Sequence, residues 1–179
     1  MKLFTFVKNG QAALGVKTDK GMIDVEAAKA QQNGNAPQSI MEVIEQGDSA
    51  VQALQQLVDG LPLDANADYV LDENSIDWAP SVTDPNKMIC VGLNYRRHAD
   101  ETNSPYPTVP ILFNKFNNSL TAEGKDIAVP KVTEKLDYEV ELCIVIGKEA
   151  KDVSEEEALD HVFGYTVVND LSARDLQLR

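Results

Sequence analysis

Two glutamates that alternate along a predicted strand are the first candidates for chemistry in this sequence. Glu139 and Glu141 lie in the run from Tyr138 to Ile146, and the period of two along a strand places both carboxylates on one face. If their oxygens come within about 5 Å, repulsion costs roughly 3 kcal/mol at an effective dielectric of about 20. Solvent, proton uptake, a basic partner or a cation must therefore offset the two charges.

The alternative for this pair is an edge strand with one wet face. The apolar run from Leu142 to Ile146 argues against it, because such a run is typical of a strand that is buried on both faces. Asp170 ends a second predicted strand, Phe163 to Asp170, just before a helix predicted to begin at Leu171 or Ser172. Its alternative role is to cap that helix.

The three acidic side chains together form an all-oxygen ligand set. Glu139, Glu141 and Asp170 suit Mg²⁺, Mn²⁺ or Ca²⁺, which prefer oxygen, and do not suit zinc. The sequence therefore predicts a hard-cation site at the ends of two strands.

A histidine and a glutamate three residues apart are candidates for proton transfer. His98 and Glu101 would share one face of a predicted helical turn, so that Glu101 could orient His98 as a general base. The alternative is a solvated pair without function.

Alternating and helical patterns divide the chain into three parts. Residues 1–60 predict a small α+β domain with a three-strand meander and two helices, and residues 61–87 predict a linker or loop with one short strand. Residues 88–179 predict further strands and a short helix from Ser154 to Val162. The last segment has no helix stop signal, so we expect that this second domain is truncated.

Composition excludes several classes of function. A formal net charge of −13 disfavours nucleic acid as a partner, and no apolar run has the roughly 20 residues of a membrane span. The N-terminus lacks the pattern of a signal peptide. Cys90 and Cys143 lie in apolar runs, as expected in a reducing compartment, so the predicted location is cytoplasmic.

Four segments in order resemble the fumarylacetoacetate hydrolase family, specifically its bacterial branch with a small N-terminal domain. They are Val91 to Glu101, Pro110 to Leu120, Leu136 to Leu142 and Gly164 to Gln177. The resemblance implies a mixed β-sandwich or β-roll catalytic domain, usually in a homodimer, of which the chain holds about half.

The resemblance also implies a role for each candidate residue. The metal ligands would be Glu139, Glu141 and Asp170, the catalytic pair His98 and Glu101, and the substrate-binding residues Arg174, Gln177 and Lys115.

The implied reaction is metal-dependent hydrolysis of a C–C bond in a small β-dicarbonyl or 2-oxo acid of the acylpyruvate or fumarylpyruvate type. Two alternatives stay open on the same site: an isomerase or decarboxylase of hydroxymuconate- or oxaloacetate-type diacids, and a non-catalytic metal-binding fragment or subunit. A third is an acidic Ca²⁺-binding module, against which the placements of His98 and Arg174 argue.

Overall fold

The N-terminal part of the protein is built on one antiparallel sheet. A computed structural model describes residues 1–32, 35–62, 64 and 66–177. In this sheet the strand order follows the chain: β1 (Lys2–Lys8), β2 (Gln11–Thr18), β3 (Gly21–Asp24) and β4 (Val70–Leu71). The predicted three-strand meander is confirmed. Asn9 and Gly10 form its first turn with φ angles of 53° and 78°, as a tight two-residue hairpin requires.

Three helices pack against this sheet: α1 (Val25–Gln32), α2 (Ile40–Gln46) and α3 (Asp48–Gly60). Helical apolar spacing predicts α2 and α3, and both are found. The sequence interpretation missed α1. Its N-terminal signal is Asp24, whose Oδ1 accepts hydrogen bonds from the backbone N–H groups of Glu26 and Ala27 at 3.0 and 3.2 Å.

The predicted linker of residues 61–87 is partly built into the N-terminal sheet. Its short strand is β4, which pairs with β3, and the segment then runs along β1. The Val7 N–H donates to the carbonyl oxygen of Asp77 at 2.7 Å, and the Ala79 N–H donates to that of Thr5 at 3.0 Å. The segment is thus tied to the first strand, and the domain boundaries themselves stay a prediction.

The second part of the chain consists of three two-stranded antiparallel pairs. The elements are β5 (Met88–Gly92) paired with β6 (Ile111–Lys115), β7 (Leu136–Asp137) with β10 (Ser172–Ala173), β8 (Val140–Ile146) with β9 (Val162–Asn169), and the helices α4 (Arg96–Glu101) and α5 (Arg174–Gln177). With the N-terminal helices and sheet, these elements make an α+β fold, which confirms the predicted class. In the described part the sheets are not closed into a sandwich.

One predicted helix in this part is wrong, and another begins later than expected. Ser154 to Val162 holds only a short 3-10 turn, Ala158–His161, although Ser154 and Glu157 do form the predicted side-chain hydrogen bond. Leu159 is exposed there, so no apolar face is buried that could stabilise a longer helix. The helix expected from Leu171 or Ser172 begins only at Arg174, because the two preceding residues pair with β7.

Burial is very uneven along the chain. Among the described residues, Ala99 is the single buried apolar side chain beyond residue 69. Leu142 is 58% exposed and its face of β8 is open, so the prediction that this run is buried on both faces is wrong. The accessible surface is 12894 Å², against about 8,500 Å² for a compact monomer of this mass. The second part therefore presents unpaired apolar sheet faces.

No helix in the described ranges combines the length and the apolar composition that crossing a bilayer requires.

Candidate functional site

The β8–β9 pair brings the three candidate metal ligands to one end of a sheet. Glu141 is the second residue of β8, Glu139 directly precedes that strand, and Asp170 directly follows β9. The Asp170 N–H donates to the carbonyl oxygen of Glu139 at 2.8 Å, and the Glu139 N–H donates to the side-chain oxygen of Asn169 at 3.1 Å. Antiparallel pairing thus joins residues that lie about thirty positions apart.

These carboxylates are shielded from bulk water. The side chain of Glu139 is 15% exposed and that of Asp170 is 9% exposed. Burial raises the pKa of Glu141, and the negative charges of Glu139 and Asp170 raise it further. The three acids therefore act on one another electrostatically, as a shared cation site requires.

Lys115 pairs with the most buried of these acids. Its ammonium group, at the end of β6, forms an ion pair with Oδ1 of Asp170 and donates a hydrogen bond to the carbonyl oxygen of Leu171 at 3.3 Å. Apart from that ion pair, this buried Oδ1 has no hydrogen-bond partner in the described part of the chain. Sequence reasoning placed Lys115 in the substrate pocket, and the structure places it on a candidate metal ligand.

Arg174 pairs with a second candidate ligand. The β7–β10 pair holds it, since the Arg174 N–H donates to the carbonyl oxygen of Lys135 at 2.9 Å. Its guanidinium contacts Glu139 at 2.5 Å and Asp137 at 3.0 Å, and it donates to the side-chain oxygen of Gln177 at 3.0 Å. Burial lowers the pKa of Arg174, but the two carboxylates outweigh it and raise the pKa overall. The sequence interpretation missed Asp137.

Tyr95 links the candidate catalytic helix α4 to β8. It precedes α4, and its hydroxyl accepts a hydrogen bond from the Leu142 N–H at 3.1 Å. The same hydroxyl is hydrogen-bonded to the carboxylate of Glu141, which works against the burial that raises the pKa of that group. The sequence interpretation gave Tyr95 no role, although it lies three residues before His98 in a segment already singled out.

His98 lies near the candidate ligands in the structure, but it does not form the predicted pair with Glu101. Burial raises the pKa of Glu141, and the electrostatic interaction with the nearby His98 side chain lowers it by a smaller amount. No hydrogen bond or ion pair joins the side chains of His98 and Glu101 among the described contacts. Glu101 is the last residue of the six-residue α4 and is exposed.

The donor chemistry fits a hard divalent cation, while the present geometry is that of a charge-paired site. Within residues 1–32, 35–62, 64 and 66–177, no three His, Cys, Asp or Glu side chains are gathered closely enough to hold a metal ion. Two of the three carboxylates are instead neutralised by Lys115 and Arg174. The three candidate ligands offer only carboxylate oxygens, and one of these oxygens is buried with an ammonium as its single partner in the described part of the chain. Such a donor set suits Mg²⁺, Mn²⁺ or Ca²⁺.

Comparison with known proteins gives consistent matches over the part that holds the site. Residues 87–179 match the family model described as fumarylacetoacetate (FAA) hydrolase C-terminal. Oxaloacetate tautomerase fahd2, mitochondrial, from Xenopus laevis is 41% identical over 143 residues, which cover 80% of this chain and 43% of that protein. The chain spans about half the length of the curated relatives that it matches.

Solved structures extend the likeness to the whole chain. Fumarylacetoacetate hydrolase (EaFAH) from psychrophilic Exiguobacterium antarcticum matches with a TM-score of 0.66 and 32% identity, covering 99% of this chain and 58% of that one. Maleylpyruvate hydrolase from Sphingobium sp. SYK-6, in complex with manganese(II) ion and pyruvate, matches with a TM-score of 0.67 and 23% identity over 97% of this chain and 60% of that one. The chain shares their fold, which confirms the predicted architecture.

Proposed function

Because the chain belongs to the fumarylacetoacetate hydrolase family, we propose that it is a divalent-metal-dependent enzyme acting on small 2-oxo acids. The family includes hydrolases, isomerases and tautomerases. One observation supports the proposal: Glu139, Glu141 and Asp170 lie at the same end of the β8–β9 pair, and the charges of Glu139, Asp170 and His98 all act on Glu141.

The proposed ligands of the cation are these three carboxylates, with Mg²⁺, Mn²⁺ and Ca²⁺ as candidates. The oxygen-only donor set supports this, as does the manganese in the structurally similar maleylpyruvate hydrolase. A divalent cation supplies Lewis-acid stabilisation of negative charge on a substrate oxygen.

The side chains around the carboxylates divide the remaining tasks. His98 moves a proton to or from the substrate, since an imidazole ring can both accept and donate a proton. Arg174, Gln177 and Lys115 bind the substrate's carboxylate groups, because all three side chains carry N–H donors that suit an anion. Tyr95 orients the carboxylate of Glu141.

Proton transfer at the carbon beside the oxo group, which interconverts enol and keto forms of an oxaloacetate-type diacid, is the reaction that the geometry supports best. Tautomerisation needs a group that takes the proton from the enol oxygen and returns one to the carbon, together with stabilisation of the charged oxygen between the two transfers. The imidazole of His98 can accept and then donate the proton without help from Glu101. The 41% identity to an oxaloacetate tautomerase supports the same assignment.

Hydrolysis of a C–C bond in an acylpyruvate or fumarylpyruvate is the second candidate. It requires an activated water, so the base must be well held, and the spacing of His98 and Glu101 favours such a pair once substrate is bound. The 32% identity to a fumarylacetoacetate hydrolase supports it.

Metal content and turnover test the proposal together. The chain is loaded with Mn²⁺, dialysed and analysed for bound metal, and then assayed for enol-to-keto conversion of oxaloacetate and for acylpyruvate cleavage. Glu141→Ala is expected to lose the metal and both activities, while the exposed Glu156→Ala keeps them. Equal metal content in wild type and Glu141→Ala would overturn the ligand assignment. Bound metal without turnover of either substrate would favour the non-catalytic alternative.

Assembly and location complete the proposal. A homodimer is supported by the large open apolar surface of the second part, and analytical ultracentrifugation tests it.

A cytoplasmic location is supported by the unpaired thiols of Cys90 and Cys143. The similar tautomerase is named as mitochondrial, so fractionation of cells that express the protein distinguishes the two compartments.

A further inference from the structure

Two basic side chains form ion pairs with the candidate metal ligands, and they differ in how many other partners they have. Arg174 contacts Glu139 but also binds Asp137 and Gln177, so it keeps partners if Glu139 turns away. Among the described residues Lys115 has one carboxylate partner, Asp170, and otherwise donates only to a backbone carbonyl oxygen. Lys115 therefore depends on Asp170 more than Arg174 depends on Glu139.

Asp170 depends on Lys115 in the same way. Within the described ranges its buried Oδ1 has no partner other than the Lys115 ammonium, and the side chain as a whole is 9% exposed. A buried carboxylate without a compensating partner is strongly unfavourable. The Lys115 ammonium thus compensates the charge of the buried Asp170 carboxylate, which lies beside two other acids.

We propose that Lys115 is a built-in counter-ion that holds Asp170 in the metal-free protein and competes directly with the metal for the same oxygen. This inference rests on the proposed metal site. An ammonium and a divalent cation that share one carboxylate oxygen would lie only a few ångströms apart and repel each other strongly where water is largely excluded. Metal binding therefore moves the ammonium away from Asp170, and Lys115 lowers the affinity for metal while stabilising the metal-free form.

The competition has two consequences of opposite sign. Removing the lysine charge leaves Asp170 without a partner, so the metal-free protein becomes less stable. The same removal frees the ligand oxygen and removes a like charge, so the metal binds more tightly. A residue that only supported the fold would instead weaken both properties.

Calorimetric titration with Mn²⁺ tests the inference on the full chain. Lys115→Met is expected to bind Mn²⁺ at least about ten-fold more tightly than wild type, and Lys115→Arg, which keeps the charge, to stay within about three-fold. Lys148→Met is the matched control, because this exposed lysine lies just beyond the other end of β8 and its loss changes net charge equally. Its Kd should not change.

Thermal unfolding supplies a readout that is independent of activity. Metal-free Lys115→Met should unfold at a lower temperature than wild type, and saturating Mn²⁺ should abolish or reverse the difference. Lys115→Gln, which keeps a donor for the Leu171 carbonyl, carries the same expectations if the methionine variant does not fold.

The two proposals fail in distinguishable ways. Wild type that binds no Mn²⁺ would overturn the metal site and this inference together. Wild type that binds Mn²⁺ through Glu141, with Lys115→Met and Lys115→Gln binding no more tightly, would overturn the counter-ion role alone.

Discussion

The backbone N–H of Asp170 donates a hydrogen bond to the carbonyl oxygen of Glu139 at 2.8 Å. This single bond extends the β8–β9 pairing by one step beyond the strand ends, and both residues carry their carboxylates into the same shielded region. The backbone therefore fixes the separation of the two residues, while their side chains must turn from Lys115 and Arg174 to share a cation. The carboxylates and the cations that neutralise them lead to the following expectations.

Neutralising Glu141 should stabilise the metal-free protein near neutral pH. Burial raises the pKa of Glu141 above its ordinary value of 4.5. The folded state therefore binds the proton more readily than the unfolded state, so the favourable contribution is complete below that ordinary value and is lost as pH rises through the raised pKa. Glu141→Gln should unfold at a higher temperature than wild type at pH 7, and the difference should disappear well below pH 4.5. If the difference in unfolding temperature between Glu141→Gln and wild type stayed the same from pH 7 to well below pH 4.5, burial would not be the cause of the raised pKa.

Removing the hydroxyl of Tyr95 should weaken the metal site without unfolding the protein. Tyr95→Phe loses the acceptor for the Leu142 N–H and the hydrogen bond to Glu141. Because these groups are partly exposed, the cost in unfolding free energy should be below about 1 kcal/mol. We expect the Kd for Mn²⁺ to rise several-fold in calorimetric titration. Tyr138→Phe, a change at an exposed tyrosine, is the matched control and should leave the Kd unchanged.

Two leucines should respond very differently to truncation. Leu54 in α3 is fully buried, at 0% exposure, whereas Leu142 in β8 is 58% exposed. Leu54→Ala should lower the unfolding free energy by about 2–5 kcal/mol, since it loses apolar burial and leaves a cavity. Leu142→Ala should cost less than about 1 kcal/mol in this chain. Urea unfolding measures both, and equal losses would mean that the face of β8 is covered in solution.

Asp24 should contribute to stability through two separable contacts. Its Oδ1 caps α1, and its Oδ2 forms an ion pair with Lys8 at 2.8 Å in a site where the aspartate side chain is 4% exposed. Asp24→Asn keeps a cap acceptor and loses the charge, while Asp24→Ala loses both. The alanine variant should therefore be less stable than the asparagine variant by roughly 1 kcal/mol in urea unfolding. Equal stability of the two would exclude the capping role.

Local patterns in the sequence determined the strands, the apolar helices and the identity of the candidate ligands. Alternation predicts β8, and the positions of Glu139, Glu141 and Asp170 at strand ends predict an oxygen-rich site, because both features depend only on neighbours along the chain. The same patterns gave wrong predictions where tertiary packing or strand pairing determines the secondary structure. The helix predicted from Ser154 has no apolar face to bury, and Ser172 joins β10 because a partner strand is available.

Only the tertiary structure decided which charges meet. Lys115 and Asp170 are distant in sequence, as are Arg174 and Glu139, and no local pattern relates either pair. Their ion pairs depend on how the β5–β6, β7–β10 and β8–β9 pairs lie together, which follows from packing and backbone hydrogen bonds over long sequence separations. The residue types therefore specified which chemistry is possible, and the arrangement of three strand pairs determined that two of the candidate metal ligands, Asp170 and Glu139, are charge-paired with Lys115 and Arg174.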